Sequence, residues 1–351
     1  MAKVHASLRL LAATAILALI PLGGLWSWRR SGPLRQETRF LVPKGASVDQ
    51  IADQLEREGV IRSATLFKLW ARTRKLQLIR GEYAVQPGAS MARVAEKLRK
   101  GDIHYTNLVM VPGLHAWAIQ KRLEPFVPED IFWTLWKSPR LAREAGFPEA
   151  PSLEGLIAPA TYRLHRALEP EEVMLRLVEA FRAQVRPKLE GGPLAPYETL
   201  ILASLVEKET RVPEERPKVA GVYLKRLQIG MPLQCDPTSL YARWMRGDLR
   251  FTAPTGQDVR APHPYNTYTM KGLPPGPIGL PGPEAIIAAR EPQVGQDLYF
   301  VATGLGGHRF APTLAAHNRN VAAYRAELRR QKGLPEPAPK PKARKVTRRR
   351  R

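Results

Sequence analysis

The chain has 351 residues, with 55 Lys and Arg against 32 Asp and Glu, a net charge of +23 and a single cysteine. Its length suits about two domains, and its 44% apolar content is that of a folding chain, not a disordered one. One cysteine excludes an intrachain disulfide framework and any cysteine-based metal cluster; the charge leaves nucleic acid, an anionic membrane and an acidic polymer open as partners.

The first thirty residues, MAKVHASLRLLAATAILALIPLGGLWSWRR, carry no charge from Leu10 to Trp28. At the helical rise such a stretch spans about 28 Å, close to the thickness of a hydrocarbon core. Trp26 and Trp28 stand at one end as an aromatic belt would, and Arg29 and Arg30 close the span. The competing reading is a cleaved signal peptide, but no A-x-A site followed by a polar start is present. Residues 1–31 are therefore expected to be a short stub and an uncleaved transmembrane anchor. Lys3 and Arg9 before the span and Arg29, Arg30 and Arg35 after it leave the orientation unsettled. No later segment is long and apolar enough to cross, so the rest of the chain is expected on one side of the membrane.

Three stretches then share a pattern. They are PKGASVDQIADQL around Gly45, QPGASMARVAEKL around Gly88 and VPGLHAWAIQKRL around Gly113. Each follows an apolar strand-like segment and has a Gly turn, then an aliphatic residue and a Leu four positions apart. That spacing puts both side chains on one helix face. Ser47 and Ser90 stand where they can cap the first two helices. Residues 38–124 read as repeated strand–turn–helix units, against the alternative of chance matches to a common arrangement. Between the first two copies, Ser63 opens a further capped amphipathic helix.

Residues 129–147 look helical, 171–186 form an amphipathic helix, 196–211 another, and 214–229 a further one. Residues 231–283 are rich in Pro, Gly, Thr, Tyr and Asn with little periodicity, and a long irregular stretch of this kind usually carries function. DLYFVAT (297–303) reads as a short strand and 313–331 as a closing helix. The last twelve residues hold eight Lys or Arg and no acid behind a Pro-rich run, so 332–351 read as a disordered basic tail. Much of the charge is thus at the ends of the chain, which argues against a basic, aromatic-studded nucleic-acid face.

In the helix LILASLVEKETR, Leu202, Leu205, Val206 and Glu209 fall within a sector of about 100°, while Glu207 and Lys208 point elsewhere. A carboxyl on the buried side of a helix is costly to ionise, and a raised pKa suits a general acid. The plainer alternative is a structural ion pair between Glu209 and Arg211 or Arg216.

Four motifs carry a family resemblance. They are LEGxxxPxTY (Leu153–Tyr162); ASLVEKET with EERxxVAGVYxxRLxIGMxLQxDPT (Ala203–Thr238); PYNTY with KGLPPGPI (Pro264–Ile278); and LYFVAxGxGGHxF with HN (Leu298–Asn318). In register and in this order, they resemble the endolytic murein transglycosylases of the MltG or YceG-like family.

The resemblance implies an α+β fold: an N-terminal transmembrane helix, a small LysM-like module over 38–103, and a larger catalytic domain over 104–330 with a long irregular loop region. It implies an enzyme of the inner membrane, its catalytic domain outside the cytoplasm, that cleaves the β-1,4 bond between N-acetylmuramic acid and N-acetylglucosamine within nascent peptidoglycan strands. The products would be 1,6-anhydromuramyl ends, and strand elongation would stop there. Peptidoglycan synthases are implied as neighbours. Glu209 matches the family's catalytic glutamate, with Glu207 as the fallback. Glu154, Gln234, Asp236, Thr238, Tyr265, Asn266, Thr267 and Tyr268 are candidates for substrate contact, Glu154 being open between a cleft carboxylate and a structural partner. No metal or cofactor is implied, and His308 and His317 are read as backbone-bonding rather than ligating. Ala160 departs from the Asp usual in the first motif, and Cys235 stands where small or hydroxyl residues are common. The tail lies outside the family core and would meet anionic lipid or wall polymer, or only solvent. A catalytically silent glycan-binding or scaffolding protein of the wall machinery is the alternative, against which the retained Glu209 argues.

Overall fold

The computed structural model describes Trp28, Arg30 and residues 32–250 and 252–334. The expected transmembrane span lies, Trp28 apart, outside the described residues, as does the basic tail from residue 335. Among the described residues no helix is long and apolar enough to cross a membrane. Trp28 itself packs against Trp70 with ring centroids 5.0 Å apart.

Among the described residues the fold is α+β, with three separate two-stranded antiparallel sheets among many short helices. The chain divides into two compact units. The described residues up to Met110, with Trp117–Leu135 and Ala160–Leu177, make the first; Val111–Ala116, Trp136–Pro159 and the described residues from Val178 onward make the second.

The first unit opens with strand β1 (Thr38–Val42), helices α1 (Val48–Arg57) and α2 (Ala64–Thr73), strand β2 (Gly81–Val85) and helix α3 (Met91–Lys100). β1 and β2 pair from Thr38 opposite Val85 to Val42 opposite Gly81. One apolar core runs through all five elements, from Phe40 and Val42 through Leu55, Phe67 and Tyr83 to Val94 and Leu98. Strand β3 (Thr106–Val109) and helix α4 (Ala116–Leu123) follow, and β3 pairs with strand β4 (Thr161–Leu164).

The three repeated stretches do fold alike. Gly45, Gly88 and Gly113 take φ of 76°, 71° and 78°, a left-handed turn that a side chain would strain. Ser47 and Ser90 accept from the backbone N–H three residues on, at 3.2 and 3.3 Å. Ile51 and Leu55, Val94 and Leu98, and Ile119 and Leu123 are all buried. The third copy differs in its strand, which joins β4 instead of the β1–β2 sheet. Glu82, buried on β2, is held by Arg166 at 2.6 and 2.9 Å within the same unit.

The stretch 129–147 is two helices, not one: α5 (Glu129–Trp136) and α6 (Pro139–Glu144). Ser138 caps α6 and Pro139 starts it, which forces the break. Helices α7 (Pro170–Gln184), α8 (Pro196–Glu209) and α9 (Arg216–Gln228) fall close to expectation. The stretch 231–283 departs from it. Helix α10 (Asp236–Met245) and the short α11 (Gly256–Arg260) interrupt the irregular chain. α10 begins at Asp-Pro and buries Thr238, Ser239 and Arg243 beside Tyr241, Ala242 and Trp244, so polar side chains on its inner face hide the helical period. Helix α12 (Pro283–Arg290) was not expected either; it packs with α8 and α9 in the second unit. Gly221 of α9 allows the chain near Gln293 to approach, since a Cβ there would meet the Gln293 carbonyl oxygen at 2.0 Å. Strand β5 (Tyr299–Ala302) gains an unexpected partner, β6 (His308–Ala311), before the closing helix α13 (Leu314–Gln331).

Phe67 is fully buried and Leu69, two residues on in α2, is 61% exposed. Phe67→Ala is expected to cost about 3–5 kcal/mol in urea unfolding, and Leu69→Ala less than about 0.5 kcal/mol. Equal costs would contradict the described core.

Candidate active site

Helix α8 is buried on every side from Thr199 to Val206. It is a core helix rather than an amphipathic one, so the wheel's apolar stripe is only part of a cylinder buried all round, Thr199 and Ser204 included. It stops at Glu209, and Thr210 follows in extended backbone. Its last turn therefore delivers three consecutive charged side chains to different surroundings.

Glu209 faces a cleft of about 370 Å³ within the second unit. Its Oε2 accepts hydrogen bonds from the Tyr223 hydroxyl at 3.0 Å and the Cys235 thiol at 3.3 Å. Burial pushes the Glu209 carboxyl above its ordinary range; the thiol and the phenol pull the other way, and Asp236 adds to the rise. Burial also raises the Tyr223 and Cys235 groups well above their usual values, so both remain protonated donors. Cys235 thus hydrogen-bonds the carboxyl and has no thiolate character.

Glu207 lies elsewhere. Its Oε2 accepts from the Gly282 N–H at 3.1 Å and it pairs with Arg216 at 3.6 Å. The ion-pair reading weighed for Glu209 describes Glu207 instead.

The candidates around Glu209 sort into two groups. Gln234, Asp236 and Tyr268 line the cleft. Asp236 accepts from the Tyr268 hydroxyl at 2.6 Å. Gln234 has φ of 52°, an uncommon left-handed conformation for a side chain with a Cβ. Thr238, Asn266 and Thr267 are fully buried behind the cleft wall. The hydroxyls of Thr238 and Thr267 meet at 2.8 Å, and Thr267 accepts from the Cys235 N–H at 3.0 Å. The Asn266 amide donates to the carbonyls of Asp258, Val259 and Ala261. Tyr265 is buried against Tyr241. These four shape the loop that carries Gln234 and Tyr268.

Glu154 is away from the cleft. It is 1% exposed, and its Oε2 accepts from the Ala116 N–H at 3.0 Å and the Tyr241 hydroxyl at 2.8 Å. Its other oxygen has no hydrogen-bond partner among the described residues. Burial lifts its pKa from 4.5 to about 7.

Sequence reasoning missed Tyr223 and Arg226, and it read His308 and His317 as backbone-bonding, whereas the His308 ring meets the Glu215 carboxylate and the His317 ring stacks on Tyr299. Arg226 is buried and donates to the carbonyls of Leu298 at 2.7 Å and Leu233 at 2.7 Å, with its guanidinium 5.1 Å from the Tyr299 ring centroid. It ties β5 to the turn at Gln234. His308 is held by Glu215 twice, through its backbone N–H at 2.8 Å and its ring Nδ1 at 2.6 Å. His317 stacks on Tyr299. The one available signal was the spacing of Tyr223 and Arg226, three apart and so on one face of α9.

A profile of the YceG-like family matches residues 40–323. The chain belongs to the YceG-like family. A Bacillus subtilis protein named endolytic murein transglycosylase is 27% identical over 337 residues, covering 86% of this chain and 91% of its own length. A Streptococcus pneumoniae protein of the same name is 27% identical over 320 residues, where this chain spans 57% of the relative's length. The crystal structure of a yceG-like protein from Listeria monocytogenes matches with a TM-score of 0.55 and 27% identity, over 82% of this chain and 99% of that one.

Because the folded state holds the Glu154 proton up to about pH 7 and the unfolded state releases it near 4.5, stability falls as pH rises through that window. Glu154→Gln keeps both hydrogen bonds and is expected to flatten the fall, a difference on the order of 3 kcal/mol at neutral pH in denaturant titrations. Parallel pH profiles for the two proteins would refute the assignment.

Proposed function

We propose that this chain is a peptidoglycan lytic transglycosylase with Glu209 as its acid and base. The observation that carries the reading is a half-buried carboxyl of raised pKa, hydrogen-bonded through one oxygen, facing a cleft in a chain of the YceG-like family. Relatives bear the name endolytic murein transglycosylase.

Two donors on Oε2 leave Oε1 to carry the proton. Protonated Glu209 gives it to the glycosidic oxygen between N-acetylmuramic acid and N-acetylglucosamine as the bond to the anomeric carbon breaks. The carboxylate formed then takes the proton from the muramyl C6 hydroxyl, and that oxygen bonds to the same anomeric carbon. The ring closes as a 1,6-anhydro end and Glu209 is protonated again. The sugar supplies its own nucleophile, so the second carboxyl of an ordinary glycosidase is unnecessary. Asp236, held by Tyr268, sits in the cleft where positive character develops.

Cuts within nascent strands would end their elongation. The same reading takes residues 38–103 as a LysM-like glycan module, 104–330 as the catalytic domain and residues 1–31 as an inner-membrane anchor that keeps the enzyme outside the cytoplasm beside peptidoglycan synthases. A glycan-binding protein without activity is the second reading, and the carboxyl at 209 speaks against it.

The full chain incubated with uncross-linked glycan strands is expected to yield anhydro-ended fragments by mass spectrometry. Glu209→Gln should lower the rate by about 10²–10⁴. Intact strands from the wild type, or unchanged cleavage by the variant, would sink the reading. Activity should decline as pH rises through the Glu209 pKa, because the acid form is lost. Tyr223→Phe removes a bond that favours the carboxylate. It is expected to move that alkaline limb up by roughly half to one pH unit, measured on kcat/KM.

A further inference from the structure

A second cavity of about 390 Å³ lies in the same unit, against Glu207 and Lys208 in the last turn of α8. Lys208 and Arg211 contribute its cations, and Leu240, Trp244 and Ile278 its apolar walls. Two elements serve both cavities. Glu209 faces the first while Lys208 faces the second; Asp236 lines the first and its neighbour Pro237 the second. The two cavities thus meet at the end of α8 and the start of α10, where adjacent residues line one each.

The charges there are unevenly committed. Glu207 also borders the cavity, but its carboxyl is engaged by Arg216 and the Gly282 N–H. The Lys208 ammonium donates to the Gly113 carbonyl at 2.7 Å and lies 6.0 Å from the Trp244 ring centroid. Arg211 is exposed and has no hydrogen bond or ion pair among the described residues. An open guanidinium beside a fixed ammonium, over an aliphatic and indole wall, suits a carboxylate on an otherwise apolar stem better than a bare anion.

We propose that this cavity is a binding site for a carboxylate-bearing peptide substituent of the glycan, with Arg211 as its main contact. The identity of that ligand rests on the transglycosylase reading above. Peptide stems branch from the muramyl sugars, and the sugar cut at Glu209 is itself a muramyl residue. The cavity would thus favour substituted strands over bare ones and set which muramyl residue is placed at the cleft.

The test is isothermal titration calorimetry of the full chain with a muramyl tetrapeptide bearing free carboxyl groups. Saturable binding is expected, weakened about tenfold or more by Arg211→Glu and by full amidation of the peptide. No saturable binding, or the same affinity in the variant, or equal binding of the amidated peptide, would overturn the proposal. A second arm compares KM on strands with stems and on strands stripped of them. Arg211→Glu should raise KM about tenfold on the first and leave the second unchanged; an equal loss on both, or none, would also overturn it. A wild type that binds the peptide but cuts neither strand defeats the transglycosylase reading alone.

Discussion

Helix α8 is enclosed on every side along its middle and ends at Glu209, so its final carboxyl is carried into a place where ionisation is costly. The rest of the second unit is arranged around that cost. Tyr223 from α9 and Cys235 from the chain before α10 both donate to the same carboxyl oxygen. Their own burial keeps them protonated, so they remain donors whatever the state of Glu209. The carboxyl is thus positioned without being neutralised, which is the condition for a proton donor that must also accept one.

Rigidity around it comes from polar side chains in the interior. Arg226 draws the turn at Gln234 and the strand β5 together through backbone carbonyls. Asn266 gathers three carbonyls from the end of α11, and Arg243 pairs with Asp258 at 3.2 Å. Buried donors of this kind hold a loop through the bonds they make; Asn266 donates its amide to carbonyls, while Arg243 bonds through its two terminal nitrogens and leaves its Nε without a partner among the described residues. The left-handed backbone at Gln234 persists because its neighbours on both sides are fixed.

Where apolar residues recur at helical spacing, the fold was legible. The three glycine turns, the serine caps of α1 and α3 and the core-facing pairs from Ile51 to Leu123 follow from local geometry, and each copy obeys it independently. The break between α5 and α6 was written in Ser138-Pro139 but outweighed by the apolar period around it. Helix α10 stayed hidden because its buried residues include Thr238, Ser239 and Arg243, whose polar groups are met by backbone carbonyls within the turn and by side chains packed against it, so no apolar period marks the helix. The pairing of β3 with β4 and of β5 with β6 depends on which edges meet, and no period records that.

The site divides in the same way. The sequence alone determined that a carboxyl near the end of α8 would lie against apolar surroundings, because helical spacing sets direction, and the ordered motifs determined the family. Only the tertiary structure decided which groups meet Glu209 at the cleft, Tyr223 and Cys235, that Glu154 is a buried partner of Tyr241, and that Thr238, Asn266 and Thr267 stand behind the wall while Gln234, Asp236 and Tyr268 form it. Those distinctions rest on hydrogen bonds between residues 14 to 87 positions apart, such as Tyr223 to Glu209 and Tyr241 to Glu154. The chain can express such partnerships only after the helices have packed.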